Sequence, residues 1–286
     1  MREAAGRREV VDRAPGARTT RPHPAFGVTR PYPDSGGVRP DPDSDGIGPD
    51  PDPGPAAAEH ALLLLRPALH AEGLSLGLAR AGEPQTCPAG PGERELAAAM
   101  PPPRRRDFLA GRLAARRALA GPGHPVPEIL RDGRRPRFPA GRVGSISHSG
   151  GLAVALAASL TRFHAVGCDL ELRELPLESA HIVLGPDERT WTDGTSAPTA
   201  ARRLLAVFSA KEAAYKAFAA LLPAGQAPAT LLAIEARPVP GGFRARPRAL
   251  PGHVLDVRVR RAGPGVFSWA AAPVVRRPDQ TATPWR

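Results

Sequence analysis

The chain is poor in lysine, cysteine and aromatic residues, and it has no long hydrophobic run. Its two cysteines, Cys87 and Cys168, are too few for a disulfide framework and lack the paired spacing of a zinc site. A reducing, cytoplasmic chain is therefore the expectation. No apolar stretch approaches the roughly 20 residues of a membrane span, the leucine run at Ala61–Leu65 being far too short. The Arg-rich start is interspersed with Glu and Asp and no apolar segment follows it, so no secretory leader is expected.

What the chain does have is arginine, proline and glycine: 39 Lys+Arg against 28 Asp+Glu, a net charge of +11, 36 Pro and 30 Gly in 286 residues. Residues 1–55 hold eight arginines and nine acids, so the whole excess, 31 basic against 19 acidic residues, lies in the remainder. A folded region of that charge suits an anionic partner: a nucleic acid, a phosphorylated small molecule or an acidic protein. Arginine bias across the whole chain accounts equally for a basic surface without a partner. The two lysines, Lys211 and Lys216, are more specific. A bias toward arginine removes lysine wherever it is dispensable, and two that persist five positions apart imply a need for a compact ammonium, as in phosphate contacts.

Pro-Asp repeats such as Pro40–Asp43 and Pro49–Pro53 have no periodic apolar face, so residues 1–55 read as a disordered tail. Beyond it, Ala61–Leu65 reads as a first strand and Glu93–Ala99 as a short helix. Asp107–Ala120 reads as a helix with Phe108, Leu109, Leu113 and Leu119 on its apolar side. Residues 121–144 read as a Gly/Pro/Arg-rich loop, Leu152–Ser159 and Ala165–Leu170 as strands, and Leu177–Leu184 as a helix followed by a loop through Thr199. Leu204, Phe208, Tyr215, Phe218 and Leu222 recur at helical spacing over Ala200–Leu222, with Pro223 as the stop. Strand-like alternation returns at Leu231–Ala236, Val254–Arg260 and Val266–Ala272. The mixture is α+β.

Three segments could carry chemistry. In Val166–Glu171, Asp169 and Glu171 stand two apart on a strand and share a face, while Cys168 and Leu170 point the other way into the core. Adjacent carboxylates with phosphate oxygens and water are how Mg²⁺ sites are built, although acidic pairs at strand ends are also common without a metal. On the long helix, Phe208–Lys216 places Glu212 and Lys216 as i, i+4 neighbours with Lys211 beside them. Such a pair is either an ordinary helical ion pair or a carboxylate held between ammonium groups where metal and polyphosphate meet. Gly144–Gly151, read as a loop before a strand, offers small hydroxyls, His148 and backbone N–H groups able to cradle phosphate. No Gly-x-Ser-x-Gly elbow is present to suggest a hydrolase.

The order Ser-His-Ser, then Asp-x-Glu, then Phe-Ser-x-Lys-Glu-x-x-Tyr-Lys resembles the 4′-phosphopantetheinyl transferases, of the broad-specificity kind that serves surfactin and enterobactin synthetases. Arg106–Arg116 and Pro136–His148 are similar to the enterobactin-type branch, with Phe138 where tryptophan is usual. The likeness covers about residues 60–275. It implies an enzyme that moves phosphopantetheine from coenzyme A to a serine of an apo acyl or peptidyl carrier protein, with Mg²⁺, releasing 3′,5′-ADP. The implied fold is two similar α+β subdomains related by a pseudo-twofold, 56–160 and 161–286, with the coenzyme in the cleft between them and the boundary near Leu160–Phe163. Asp169, Glu171 and Glu212 would hold the metal, and Glu212 would also be placed to accept the serine proton. Glu188 is a further carboxylate whose place in the family pattern varies. Lys211 and Lys216 would contact the phosphates. His148 with Ser147 would bind the 3′-phosphate side of the coenzyme, helped by Arg104, Arg112 and Arg131. The expected form is a cytoplasmic monomer with no nucleic-acid or membrane partner.

Two other readings remain open at this point. A basic nucleic-acid-binding protein would explain the charge, but it predicts interleaved aromatics or a reading motif, whereas aromatics are 5% of the chain. A non-catalytic relative that binds coenzyme A would not need the acidic triad. Neither the carrier nor the choice between Glu212 as ligand and as base is written in the sequence.

Overall fold

In the computed structural model, residues 53–120 and 126–274 are described; of the expected tail, all but the last three residues lie outside them. Those three open a helix, α1 (Pro53–Glu72), which also contains Ala61–Leu65. The expected first strand is thus a helical segment. Consecutive leucines fit either structure, and here they point around the helix: Leu62 is fully buried while Leu64 is 69% exposed. The first strand is instead β1 (Ser75–Arg80), which follows directly.

Next come α2 (Pro91–Ala98), α3 (Pro102–Leu119), a small hairpin of β2 (Leu130–Asp132) and β3 (Arg135–Arg137), then β4 (Arg142–Ser149) and β5 (Leu152–Ser159). Strands β1, β5 and β4 form an antiparallel sheet in that order. β5 is buried on both faces, which is why Leu152–Ala158 is an unbroken apolar run. Its even-numbered residues face the core between the two sheets, which α1 also lines, and its odd-numbered ones pack against α3.

β6 (Phe163–Glu171) begins the second sheet. A 3₁₀ turn at Leu177–Ser179, α4 (Ala180–Val183), α5 (Pro186–Thr192) and α6 (Ala197–Leu221) follow, then β7 (Ile234–Val239), β8 (Gly242–Pro247), β9 (Leu255–Ala262) and β10 (Gly265–Pro273). This antiparallel sheet runs β6-β10-β9-β8-β7. The expected loop before Thr199 therefore contains the short helix α5, whose Pro186 at the first turn and Asp187 and Glu188 behind it are ordinary helix-start chemistry. The α+β class expected from the sequence is the class observed.

The layers run α3, three-stranded sheet, five-stranded sheet, α6. Each helix is seated on its sheet by the same device. A Cβ on Gly77 of β1 would collide with Ala114 O and Ala118 N of α3, and one on Gly167 of β6 with Ala213 O and Ala217 N of α6. Backbone meets backbone at both crossings, and only glycine opposite alanine permits it. Gly167→Ala is accordingly expected to cost about 1–3 kcal/mol or more by overpacking. Thermal denaturation would read this as a lower melting temperature, and an unchanged melt would refute so close a seat.

β4 and β6 are the facing edges of the two sheets, and serine hydroxyls join them. Ser145 Oγ accepts the Cys168 N–H at 3.0 Å and Ser149 Oγ the Leu172 N–H at 3.0 Å. Edge-strand donors that would otherwise be stranded inside the molecule are satisfied by side chains. This seam brings the end of β6 under α6.

Candidate functional site: an acidic cluster with a buried ammonium

Alternation along β6 sends Cys168 and Leu170, both fully buried, into the core between the sheets, and turns Asp169 and Glu171 to the α6 side. The sequence expectation for this strand holds residue by residue. Asp169 is 3% exposed, and its Oδ1 accepts from Lys216 Nζ at 2.7 Å and from Ser147 Oγ at 2.9 Å. Lys216 also donates to the Cys168 carbonyl at 3.0 Å and to Ser147 Oγ at 3.2 Å, so all three of its protons are placed. Ser149 Oγ lies 3.4 Å from Glu171 Oε2.

Glu212, one helical turn before Lys216, faces the same cluster. Burial pushes the Glu171 carboxyl up to about 8, with the charges of Asp169 and Glu212 adding to it and Lys216 opposing. Glu212 is also raised, first by burial and then by Asp169. Burial works against the Lys216 ammonium, but Asp169 and Glu212 outweigh it and its pKa goes up. The helix and strand thus bring the three predicted carboxylates within electrostatic reach of one another, with one cation among them.

The structure separates other expected partners. Gly144–Gly151 is not a loop: β4 covers Arg142–Ser149, Gly150 and Gly151 make the turn with φ of 57° and 78°, and the backbone groups pair with β5. The backbone groups that pair with β5 are thus used by the ladder rather than held free in a loop. Adjacent on a strand, Ser147 and His148 project to opposite sides; Ser147 belongs to the carboxylate cluster, whereas His148 is exposed with Nδ1 3.8 Å from Asp107 on α3. Burial lowers the His148 pKa, Asp107 opposes this, and Lys216 and Arg104 add to the lowering, so Arg104 shares its surroundings.

Lys211 does not reach the cluster. It is fully buried, and its ammonium donates to Glu188 Oε2 at 2.5 Å and to the Val183 carbonyl at 2.7 Å. Glu188 is committed as well, accepting the Gly185 N–H at 2.6 Å and the Ala236 N–H at 2.6 Å. Lys211 and Lys216 stand five apart, which on a helix turns them to different sides. The structure thus does not bring Lys211 to the carboxylate cluster, and Glu188 braces α5, α6 and β7. Arg112 is also buried, stacked 4.4 Å from the Phe108 ring centroid with one N–H on the Leu130 carbonyl at 3.4 Å. Burial draws its pKa down to about 10; Glu93 opposes this, while Arg131 and Arg116 contribute to it. Arg112 and the half-buried Arg131 are thus close enough to repel.

The sequence reading took Ser145 and Ser149 as loop hydroxyls and gave Asp107 no role at the site. The period-two alternation Ser145-x-Ser147-x-Ser149 was the available signal, and it is a strand signature.

Among the described residues no three His, Cys, Asp or Glu side chains already stand close enough to enclose a metal ion. The donor set nevertheless fits a hard divalent cation. It is all oxygen, it carries excess negative charge held back by burial, and Asp169 Oδ2 is buried without a partner. A cluster of this kind, with an ammonium bound to one of its acids, sets donors for a cation beside a fixed positive charge.

Comparison with known proteins narrows that class. Residues 92–158 match the 4′-phosphopantetheinyl transferase N-terminal domain and residues 165–238 the 4′-phosphopantetheinyl transferase superfamily. The chain is thus similar to the 4′-phosphopantetheinyl transferase superfamily over these two segments. It is 40% identical over 141 residues to 4′-phosphopantetheinyl transferase Npt of Nocardia iowensis, covering 47% of this chain and 61% of that protein. It is 37% identical over 118 residues to enterobactin synthase component D of Salmonella typhi, covering 40% of this chain and 48% of that protein. With 4′-phosphopantetheinyl transferase PptT of Mycobacterium tuberculosis the identity is 35% over 130 residues, 45% of this chain and 57% of that protein. The chain spans about half to three-fifths of the length of the curated relatives it matches.

Proposed function

We propose that this chain transfers the 4′-phosphopantetheine group from coenzyme A to a serine of an apo acyl or peptidyl carrier protein, with Mg²⁺, releasing 3′,5′-ADP. The observation that carries the reading is the meeting of Asp169, Glu171 and Glu212 around Lys216 on a family-matched strand and helix. No activated serine or cysteine is needed, since the nucleophile belongs to the carrier.

Asp169, Glu171 and Glu212 would hold Mg²⁺, which when bound neutralises charge on the coenzyme's diphosphate. Lys216, kept protonated by Asp169 and Glu212, supplies a fixed positive charge to the same oxygens. Glu212 sits at the cluster with its carboxyl pKa raised by burial, and takes the serine proton directly or through water. Exposed His148 and Arg104 face the 3′-phosphate side of the coenzyme, and Arg131 with Arg112, which repel each other, are relieved by an anion between them. Ser147 orients Asp169 and Lys216.

In this reading the two halves, 56–160 and 161–286, meet near Leu160–Phe163 and come from one chain, so the working form is a cytoplasmic monomer. The basic surface speeds encounter with an acidic carrier and does so less at high salt. The test is incubation of the full chain with coenzyme A, Mg²⁺ and apo carrier domains, followed by mass spectrometry of the carrier. The expected result is the gain of one phosphopantetheine, abolished by EDTA and restored by excess Mg²⁺. No gain across fatty-acid, polyketide and nonribosomal-peptide carriers would refute the reading.

A further inference from the structure

Four buried side-chain polar atoms among the described residues have no hydrogen-bond partner, and three of them, Asp169 Oδ2, Ser209 Oγ and Ser268 Oγ, belong to α6 and the two strands beneath it. Ser268 stands directly opposite Asp169 in the β10–β6 ladder. Side chains so placed project from the same face with Cβ atoms about 4.5–5.5 Å apart. The face is the one α6 covers. Ala270 and Ala272, the next residues on it along β10, pack with Ala213, Ala214 and Ala217, whereas Phe267 and Trp269 point into the other core. Ser209 lies one helical turn before Ala213, on the same side of α6, and is fully buried.

A buried hydroxyl without a partner costs about 1–3 kcal/mol. Alanine would avoid that cost, and it already serves at Ala270 and Ala272 in the same layer, so packing does not explain serine at 268. Three unpartnered polar groups in one layer are what a buried water with two to four polar partners would satisfy. One of the three is the free oxygen of the carboxylate already bound by Ser147 and Lys216 through its other oxygen.

We propose that Ser268 is a positioning residue of the acidic site: Ser268 and Asp169 Oδ2 hold one buried water between them, and this water orients the carboxylate that takes the divalent cation. Ser209 supplies a further bond from the helix. The assignment rests on the metal reading given above, and it adds a residue on β10, outside the segment 165–238 that matches the family.

The test is titration of Mn²⁺ into the full-length protein with coenzyme A present, free Mn²⁺ being read by electron paramagnetic resonance, alongside thermal melts. Ser268→Ala is expected to weaken Mn²⁺ binding about tenfold, as loss of a partner behind a ligand does, with a melt close to that of the unaltered protein. Unchanged Mn²⁺ affinity, with or without a higher melting temperature, would overturn the proposal, since it would mark the hydroxyl as merely unpaired. Asp169→Asn is the reference for losing a ligand. If the unaltered protein takes up no Mn²⁺, or Asp169→Asn binds it equally well, the metal reading itself falls and the role of Ser268 with it.

Discussion

Glu212→Gln is expected to lower the rate of carrier modification by about 10²–10⁴-fold while leaving the thermal melt nearly unchanged. The substitution keeps the shape of the side chain and removes its charge. Glu212 is only half-buried and makes none of the hydrogen bonds that brace the fold, so the structure should tolerate it. The electrostatic consequence is local: one of the charges that raise the Glu171 pKa disappears, and one of the two carboxylates that hold Lys216 protonated goes with it. Mn²⁺ affinity then separates the two roles open to Glu212. A base that is not a ligand leaves metal affinity intact and lowers kcat alone, whereas a ligand raises the metal Kd in step with the lost rate. Transfer within tenfold of the unaltered protein would remove Glu212 from the mechanism altogether.

The strand that carries Asp169 and Glu171 and the helix that carries Glu212 and Lys216 were legible because each has a period. On β6 the apolar residues Val166, Cys168 and Leu170 alternate with Gly167, Asp169 and Glu171, and on α6 the aromatic and leucine positions recur three, four or seven residues apart. Local pattern was enough to say which side chains share a face. It was not enough where the partner lies elsewhere in the chain. Leu62–Leu65 gives no periodicity, and what makes it helix is the surface it covers: Leu62 packs with β1 and β5 residues such as Leu76 and Leu156, and Arg80 of β1 holds Glu59 of the same helix. Ser145–Ser149 reads as a loop by composition. It becomes a strand because β5 pairs with it and because β6 needs its hydroxyls as acceptors. The rarity of lysine did mark two special positions, but for a reason that spacing could not show. Each ammonium sits among several acceptors: Val183 O and Glu188 around the enclosed Lys211, and Ser147, Cys168 O and Asp169 around the half-buried Lys216. A planar guanidinium cannot direct its donors into either arrangement, whereas three tetrahedral protons can.

The largest expected effect on stability lies at the other lysine. Lys211 is completely buried and Glu188 nearly so, and the pair joins α6 to the segment before α5 and to β7 through four hydrogen bonds. Lys211→Met removes the cation bonded to the buried Glu188 carboxylate and should cost about 3–5 kcal/mol. The double variant Lys211→Met with Glu188→Gln removes both charges and should recover part of that loss, because the remaining amide can still accept one of the two backbone N–H bonds. Urea denaturation of the full chain measures both changes. A phosphate-binding lysine behaves in the opposite way: its removal raises the KM for coenzyme A and leaves the folded state as stable as before, or more so. Lys216 is the site at which that pattern is expected in the transfer assay, although loss of its bond to Asp169 adds some destabilisation of its own. If Lys211→Met proved as stable as the unaltered protein and weakened coenzyme A binding, the buried pair would not describe the working enzyme. Lys211 would then have to turn toward the cleft when the coenzyme arrives, which requires Glu188 to find another cation; Arg248, whose guanidinium flanks Gly185, is the one the structure places beside it.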